Sequence, residues 1–160
     1  MTLLSIVAAL ALSAAVPAGS APASARLAGT ATLKAPATKA GCRFLPWEAG
    51  GTKKLYANCS KAGPFAGTPA AAASYAWEWD LVVGASGRKS GSERGTLTLA
   101  FGRRGVVELA TLGTRTPAGQ TMKTTGTWTL ERGTRSFAGE RGRGTYTFTG
   151  ARLTLEGTLG

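Results

Sequence analysis

The clearest pattern in this chain is alternation. From Ser74 to Val83 (SYAWEWDLVV), Tyr75, Trp77, Trp79, Leu81 and Val83 share one face, and Ala76, Glu78, Asp80 and Val82 the other. A period of two is what a half-buried strand requires, because successive side chains leave a pleated backbone on opposite sides. The rhythm returns at Thr96–Phe101, with Leu97, Leu99 and Phe101 together. Over Thr121–Leu130 it sets Met122, Gly126, Trp128 and Leu130 against Lys123, Thr125, Thr127 and Thr129. Two closing strands are expected at Arg141–Phe148, aligning Tyr146 with Phe148, and at Arg152–Leu159, aligning Leu153, Leu155 and Leu159. Thr149-Gly150 between them has the length of a two-residue hairpin turn.

Three weaker strands complete the reading: Arg26–Ala35, Lys53–Ser60 and Val106–Leu112, the last with Glu108 and Ala110 on the face of Val106 and Leu112. The segments between them read as irregular. Ala35–Gly51 is a loop, Lys61–Ala73 a Gly/Pro/Ala connection with room for one helical turn at Ala70–Ala73, and Gly84–Gly95 (GASGRKSGSERG) a polar hairpin tip. Gly102–Gly105 is a tight turn and Gly113–Gly119 another loop. Seven or eight short strands at regular spacing, without helical periodicity, predict an all-β antiparallel barrel or sandwich. The many threonines suit outward strand positions.

The N-terminus follows different rules. Leu3–Val16 is almost wholly apolar but too short for a membrane-spanning helix, which needs about 20 residues. Pro17, Gly19 and Pro22 follow, then Ala23-Ser24-Ala25, a small-x-small cleavage pattern. Residues 1–25 are therefore expected to be a signal peptide, although no Lys or Arg precedes the apolar run, and 26–160 a single domain. No later segment reads as transmembrane, so the product is expected to be secreted or held in the cell envelope.

Charge and composition narrow the chemistry. The net charge of +11 falls wholly after residue 25, since no charged side chain precedes Arg26. The arginines at 88, 94, 103, 104, 132, 135, 141 and 143 lie in turns or on polar strand faces and would attract an anionic polymer at the cell surface. Nucleic acid is not expected, because only Phe137 is interleaved among them as a stacking platform. Gly142-Arg143-Gly144 lacks the strand–loop–helix setting of a phosphate loop. The chain has no histidine, which removes Ser-His-Asp and Cys-His catalysis and the commonest general base. Cys42 and Cys59 are expected to pair as a disulfide in an exported chain, worth about 3 kcal/mol in the chain-entropy account. Neither a metal site nor a cofactor is expected.

Glu78 and Asp80, two residues apart on one strand face, are the weak catalytic candidates: an acid/base pair if that face lined a cavity. The competing reading is a solvated outer face, since the aromatic side of the same strand makes the better core. Tyr75, Trp77 and Trp79, with Trp128 and Tyr146, are the candidate ligand-binding residues, to be weighed against plain core packing.

Several of these elements form a larger motif. Gly126-Thr127-Trp128-Thr129-Leu130, Gly133-Thr134-Arg135-Ser136-Phe137-Ala138-Gly139, Gly142-x-Gly144, Tyr146 and Leu155-x-Gly157-x-Leu159 together resemble the allene oxide cyclase and dirigent barrel superfamily. The likeness covers roughly the last half of the chain, back to about Tyr75. Arg135 and Glu140 depart from it, standing where glycine and alanine are typical. The resemblance implies an eight-stranded antiparallel barrel, calycin-like in shape, with an apolar cavity. Plant members guide cyclisation or radical coupling by confinement, often as trimers, and many bacterial relatives look like secreted barrels. No catalytic set matches, so none is carried over. Gly126-Thr127-Trp128 is also similar to the lipocalin and avidin-like elements, which sit on a first strand rather than near the end.

The leading expectation is a non-catalytic secreted barrel that binds a small apolar or aromatic ligand or protects the cell surface. A confinement enzyme of the cyclase or isomerase type, using Glu78 or Asp80, comes second, and a polyanion-binding surface protein third.

Overall fold

The structure is a computed structural model that describes residues 24–34, 42–49, 52–68, 70–83 and 89–160, with backbone alone at 42, 44–49, 52–58 and 83. Among the described residues nine strands follow in order: β1 Ala25–Thr32, β2 Cys42–Ala49, β3 Thr52–Thr68, β4 Ala71–Val83, β5 Lys89–Ala100, β6 Val106–Ala118, β7 Thr121–Gly133, β8 Gly142–Thr149 and β9 Arg152–Leu159. From β2 to β9 each strand pairs antiparallel with the next, and β1 then pairs with both β9 and β3. This closes β1 and β3–β9 into an eight-stranded antiparallel barrel, the architecture expected from the alternation. Closure satisfies the backbone donors and acceptors that an open sheet leaves at its edges.

The 17-residue β3 divides one edge between two partners. Its first half, Thr52–Cys59, pairs with β2, and Phe65–Thr68 pairs with β1. Pro64 lies in the interval between the Lys34–Ala62 bridge and the Phe65–Ala31 pair, where the ladder to β1 is interrupted. The β2–β3 register sets Cys42 directly opposite Cys59, and Cys59 is buried and is not a free thiol.

Several boundaries differ from the sequence reading. Lys61–Ala73 is neither a connection nor a helical turn; β3 runs through to Thr68 and β4 starts at Ala71. Cys42–Ala49 is a strand inside the expected loop. β5 begins at Lys89 and β6 runs to Ala118, so Glu93 and Arg115 stand on strands rather than in turns. These ends were hidden because their inward positions hold Gly, Glu, Thr and Arg instead of apolar residues, and cross-strand pairing forms them nonetheless. On β6 the buried set is Val107, Leu109 and Thr111, while Leu112 is 65% exposed. Opposition of Leu97 to Leu109 and of Leu99 to Val107 decides that face, since directly paired residues point to the same side. The expected leader up to residue 23, residues 35–41 and the hairpin tip at 84–88 lie outside the described residues; Ala25 opens β1.

The barrel has two unlike ends. The lower end is closed by short 3-10 turns at Gly102–Arg104 and Arg135–Phe137, with Phe101 and Phe137 rings 5.0 Å apart. Arg135, at the position where the motif typically has glycine, takes φ +54°, the left-handed region that costs a side chain about 1 kcal/mol. Leu27, Leu97, Leu99, Val107, Leu109 and Leu159 pack the interior above that end. The upper end carries the β4–β5, β6–β7 and β8–β9 hairpins. Among the described residues no helix is long and apolar enough to cross a membrane.

Candidate functional site

The upper half of the interior is not apolar. Its centre is Glu93, on the inner face of β5 opposite Trp79 of β4 and Gly113 of β6. Its side chain is wholly buried, and both carboxylate oxygens are engaged. Oε1 accepts from the Tyr75 hydroxyl at 3.0 Å and the Tyr146 hydroxyl at 3.4 Å. Oε2 accepts from Arg115 Nη1 at 2.5 Å and Thr124 Oγ1 at 2.9 Å. Thr111 Oγ1 lies 2.9 Å from the Tyr75 oxygen and donates to the Gly95 carbonyl. Five strands, β4 to β8, thus meet on one acidic side chain.

The backbone makes this convergence possible through an absent side chain. A Cβ at Gly113 would stand 2.6 Å from the Tyr146 hydroxyl and 2.7 Å from Thr124 Cγ2. Glycine there leaves the notch through which both groups reach Glu93. Arg115, two residues on and on the same face, closes the cluster from above: its guanidinium lies 4.4 Å from the Trp79 ring centroid. Trp79 Nε1 in turn donates to Cys59 Sγ at 3.3 Å.

The electrostatics follow from burial. Removing two charges from water costs several kcal/mol per ion, recovered only when geometry and hydrogen bonds are good. Here Glu93 has four donors, as many as its lone pairs accommodate. That saturation also limits its chemistry, since no lone pair is left to take a proton from a substrate. The phenols of Tyr75 and Tyr146 are both pushed well above the usual tyrosine range, first by burial and next by the charge of Glu93, which disfavours a phenolate beside it.

Because both phenols keep their protons when folded and release them near pH ~10 when unfolded, their contribution to stability is complete below that pH and declines as pH rises above it. Absorbance at 295 nm should therefore show no more than one of the three tyrosines ionising in the native protein at pH 11, the others appearing only in denaturant. Titration of all three without unfolding would contradict the burial described here.

The residues singled out in the sequence separate into three groups. Tyr75 and Trp77 stack at 4.8 Å with Phe148 edge-on to both, so they form packed core as well as one wall of the polar cluster. Tyr146 joins them through Glu93, and Trp79 stands half-buried nearer the rim. Trp128 lies apart, against Gly144 and Gly157, donating Nε1–H to the Glu156 carbonyl at 3.2 Å. Glu78 and Asp80 are on the outer wall: Glu78 accepts two bonds from Arg94, and Asp80 accepts from the Ser92 backbone N–H and hydroxyl. An outer groove of about 400 Å³ over Gly95 includes Glu78 and Arg94 in its lining.

Glu93, Arg115, Thr111 and Thr124 were not singled out in the sequence, yet a signal exists. Continuing the Leu99, Leu97 alternation backwards reaches Gly95, Glu93 and Gly91, and continuing Val107, Leu109 forwards reaches Thr111, Gly113 and Arg115. Period two places Glu93 with the buried leucines of β5, and places Arg115 inside once the β5–β6 register has made Val107 and Leu109 the inward face.

Of the surface cations, Arg94 pairs with Glu78, Arg132 with Glu108 and Arg26 with Glu156. The guanidinium of Arg132 is held more firmly protonated by the two bonds it gives Glu108. Arg103, Arg104, Arg135, Arg141 and Arg143 are exposed towards the lower end. Among the described residues no group of three or more metal-ligating side chains occurs. A scan against protein-family models gives no match to this chain, and a search of curated proteins gives none.

Proposed function

We propose that this protein is a secreted, non-catalytic binding barrel that takes a small apolar or aromatic molecule at its upper end. The observation that carries the reading is the buried Glu93–Arg115 pair on β5 and β6, joined by hydroxyls from β4, β7 and β8. A solid core has no need of it: a hydrophobic pair of equal volume is often as stable or more so. Its position near the rim, with Trp79 half-buried and the Arg115 side chain 11% exposed, suits a site open to ligand from that end. Aromatic side chains supply apolar area, and the polar cluster supplies orientation.

Saturation of the Glu93 lone pairs, and the outward placement of Glu78 and Asp80, favour binding over acid/base catalysis. Secretion and a Cys42–Cys59 bridge complete the proposal: export places the chain where a disulfide persists, and the paired register is suited to one.

Protein recovered from the culture medium tests the whole. Its mass should match a chain starting at Arg26 and lacking two thiol hydrogens. N-phenyl-1-naphthylamine, a neutral hydrophobic fluorophore, should bind saturably to one site and quench tryptophan emission. At a hundredfold excess over Kd it should stabilise the fold by about 2.7 kcal/mol. A linear, non-saturating response with no gain in thermal stability would end the ligand-binding reading.

A further inference from the structure

Among the described residues, the upper interior contains more donors than acceptors. Trp77 is 4% exposed, yet its indole Nε1–H meets no acceptor among the described residues. Arg115 Nε is likewise buried without a partner, although Nη1 of the same guanidinium is committed to Glu93. Lys61 adds a third donor. In the β3–β4 register it stands directly opposite Tyr75, so it points to the same inner face. Its Nζ lies 5.9 Å from the Trp77 ring centroid, and among the described residues it has no carboxylate partner.

Among the described residues Glu93 is the one buried carboxylate, and it cannot absorb this surplus, because its oxygens already take four hydrogen bonds. Charge points the same way. Among the described residues, Arg115 balances Glu93 and Lys61 remains a cation without a carboxylate partner on the inner face. A buried N–H without an acceptor costs free energy that an incoming oxygen would recover. An amphipathic anion would supply both the missing charge and the missing lone pairs.

Resting on the ligand-binding reading above, we infer that the ligand is a small aromatic or apolar carboxylate, its anionic group held by Lys61 Nζ and the Trp77 Nε1–H. Arg115, anchored by Glu93 on the inner face of β6, is the second cation of the upper interior. The three other donors on Glu93 hold the carboxylate that keeps Arg115 in place whether or not the site is filled.

Calorimetric titration with 2-naphthoate and its neutral counterpart 2-naphthamide at pH 7 tests the inference. The acid should bind at least about tenfold more tightly, the worth of one charge-assisted hydrogen bond. Lys61→Met should abolish that preference, and Trp77→Phe, which keeps the ring and removes the N–H, should reduce it. Circular dichroism confirms that both variants fold. Equal affinity for acid and amide would overturn the anion assignment and leave the ligand-binding reading standing. A preference that survives Lys61→Met would overturn the role given to that residue. Failure of either compound to bind, together with failure of the neutral fluorophore, would remove both readings.

Discussion

Replacing Glu93 with alanine should lower stability by about 3–5 kcal/mol, because it leaves the Arg115 guanidinium buried without its counter-charge. The loss extends beyond one ion pair. Tyr75, Tyr146 and Thr124 each lose the acceptor on which their hydroxyls converge. For a domain of this length the melting temperature should fall by about 10 °C or more. The double variant Glu93→Leu/Arg115→Met removes both charges and refills the space with apolar atoms, so it should recover most of the loss. Thermal unfolding followed by circular dichroism reads all three proteins. Should the single variant melt within a degree of the parent, Glu93 is not the buried centre described here. Should the double variant be as unstable as the single, the hydroxyl network outweighs the ion pair.

The second large effect is expected on the opposite side of the barrel. Trp128 is 1% exposed and lies over two glycines: a Cβ at Gly157 would stand 2.3 Å from its Cζ2, and one at Gly144 would stand 2.6 Å from the same ring. The indole fills the space those missing side chains leave, and its N–H caps the Glu156 carbonyl. Trp128→Ala should cost about 3–5 kcal/mol, as large aromatic truncations in packed cores do. Trp128→Phe should cost less, retaining most of the ring area and losing the hydrogen bond. Urea unfolding at constant m-value separates these cases. A cost below about 1 kcal/mol for the alanine variant would mean that the site collapses around the gap, against the rigid backbone contacts seen at Gly144 and Gly157. Ligand affinity should change little in either variant, because Trp128 is not part of the Glu93 cluster. This distinguishes it from Trp77 although both were read in sequence as one lining.

Lys61 shows why part of the site could not be found by local reasoning. Its neighbours Ala62, Gly63 and Pro64 signal a turn, and a lysine in such a stretch reads as solvated. Only pairing with β4 makes the segment a strand, and only the register with Tyr75 turns the lysine inward. Glu93 and Arg115 are different. The inward placement of Glu93 follows from a two-residue period that polar composition and frequent glycine obscured, and that of Arg115 from the same period once the register with β5 sets the face.

What the sequence determined by itself was the kind of architecture. Alternation at Ser74–Val83, Thr96–Phe101, Thr121–Leu130 and the closing pair specifies strands, the faces of Tyr75, Leu97, Trp128 and Leu155, and an all-β barrel-type fold. These features are local, since a strand's side-chain period is a property of its own backbone. The tertiary structure alone decided how the barrel closes, with β1 pairing to both β9 and β3, and which polar residues meet inside it. Glu93, Arg115, Tyr75 and Tyr146 are separated by tens of positions along the chain. Their meeting depends on register summed across five strands and on the notch at Gly113, and no single segment of sequence contains that information.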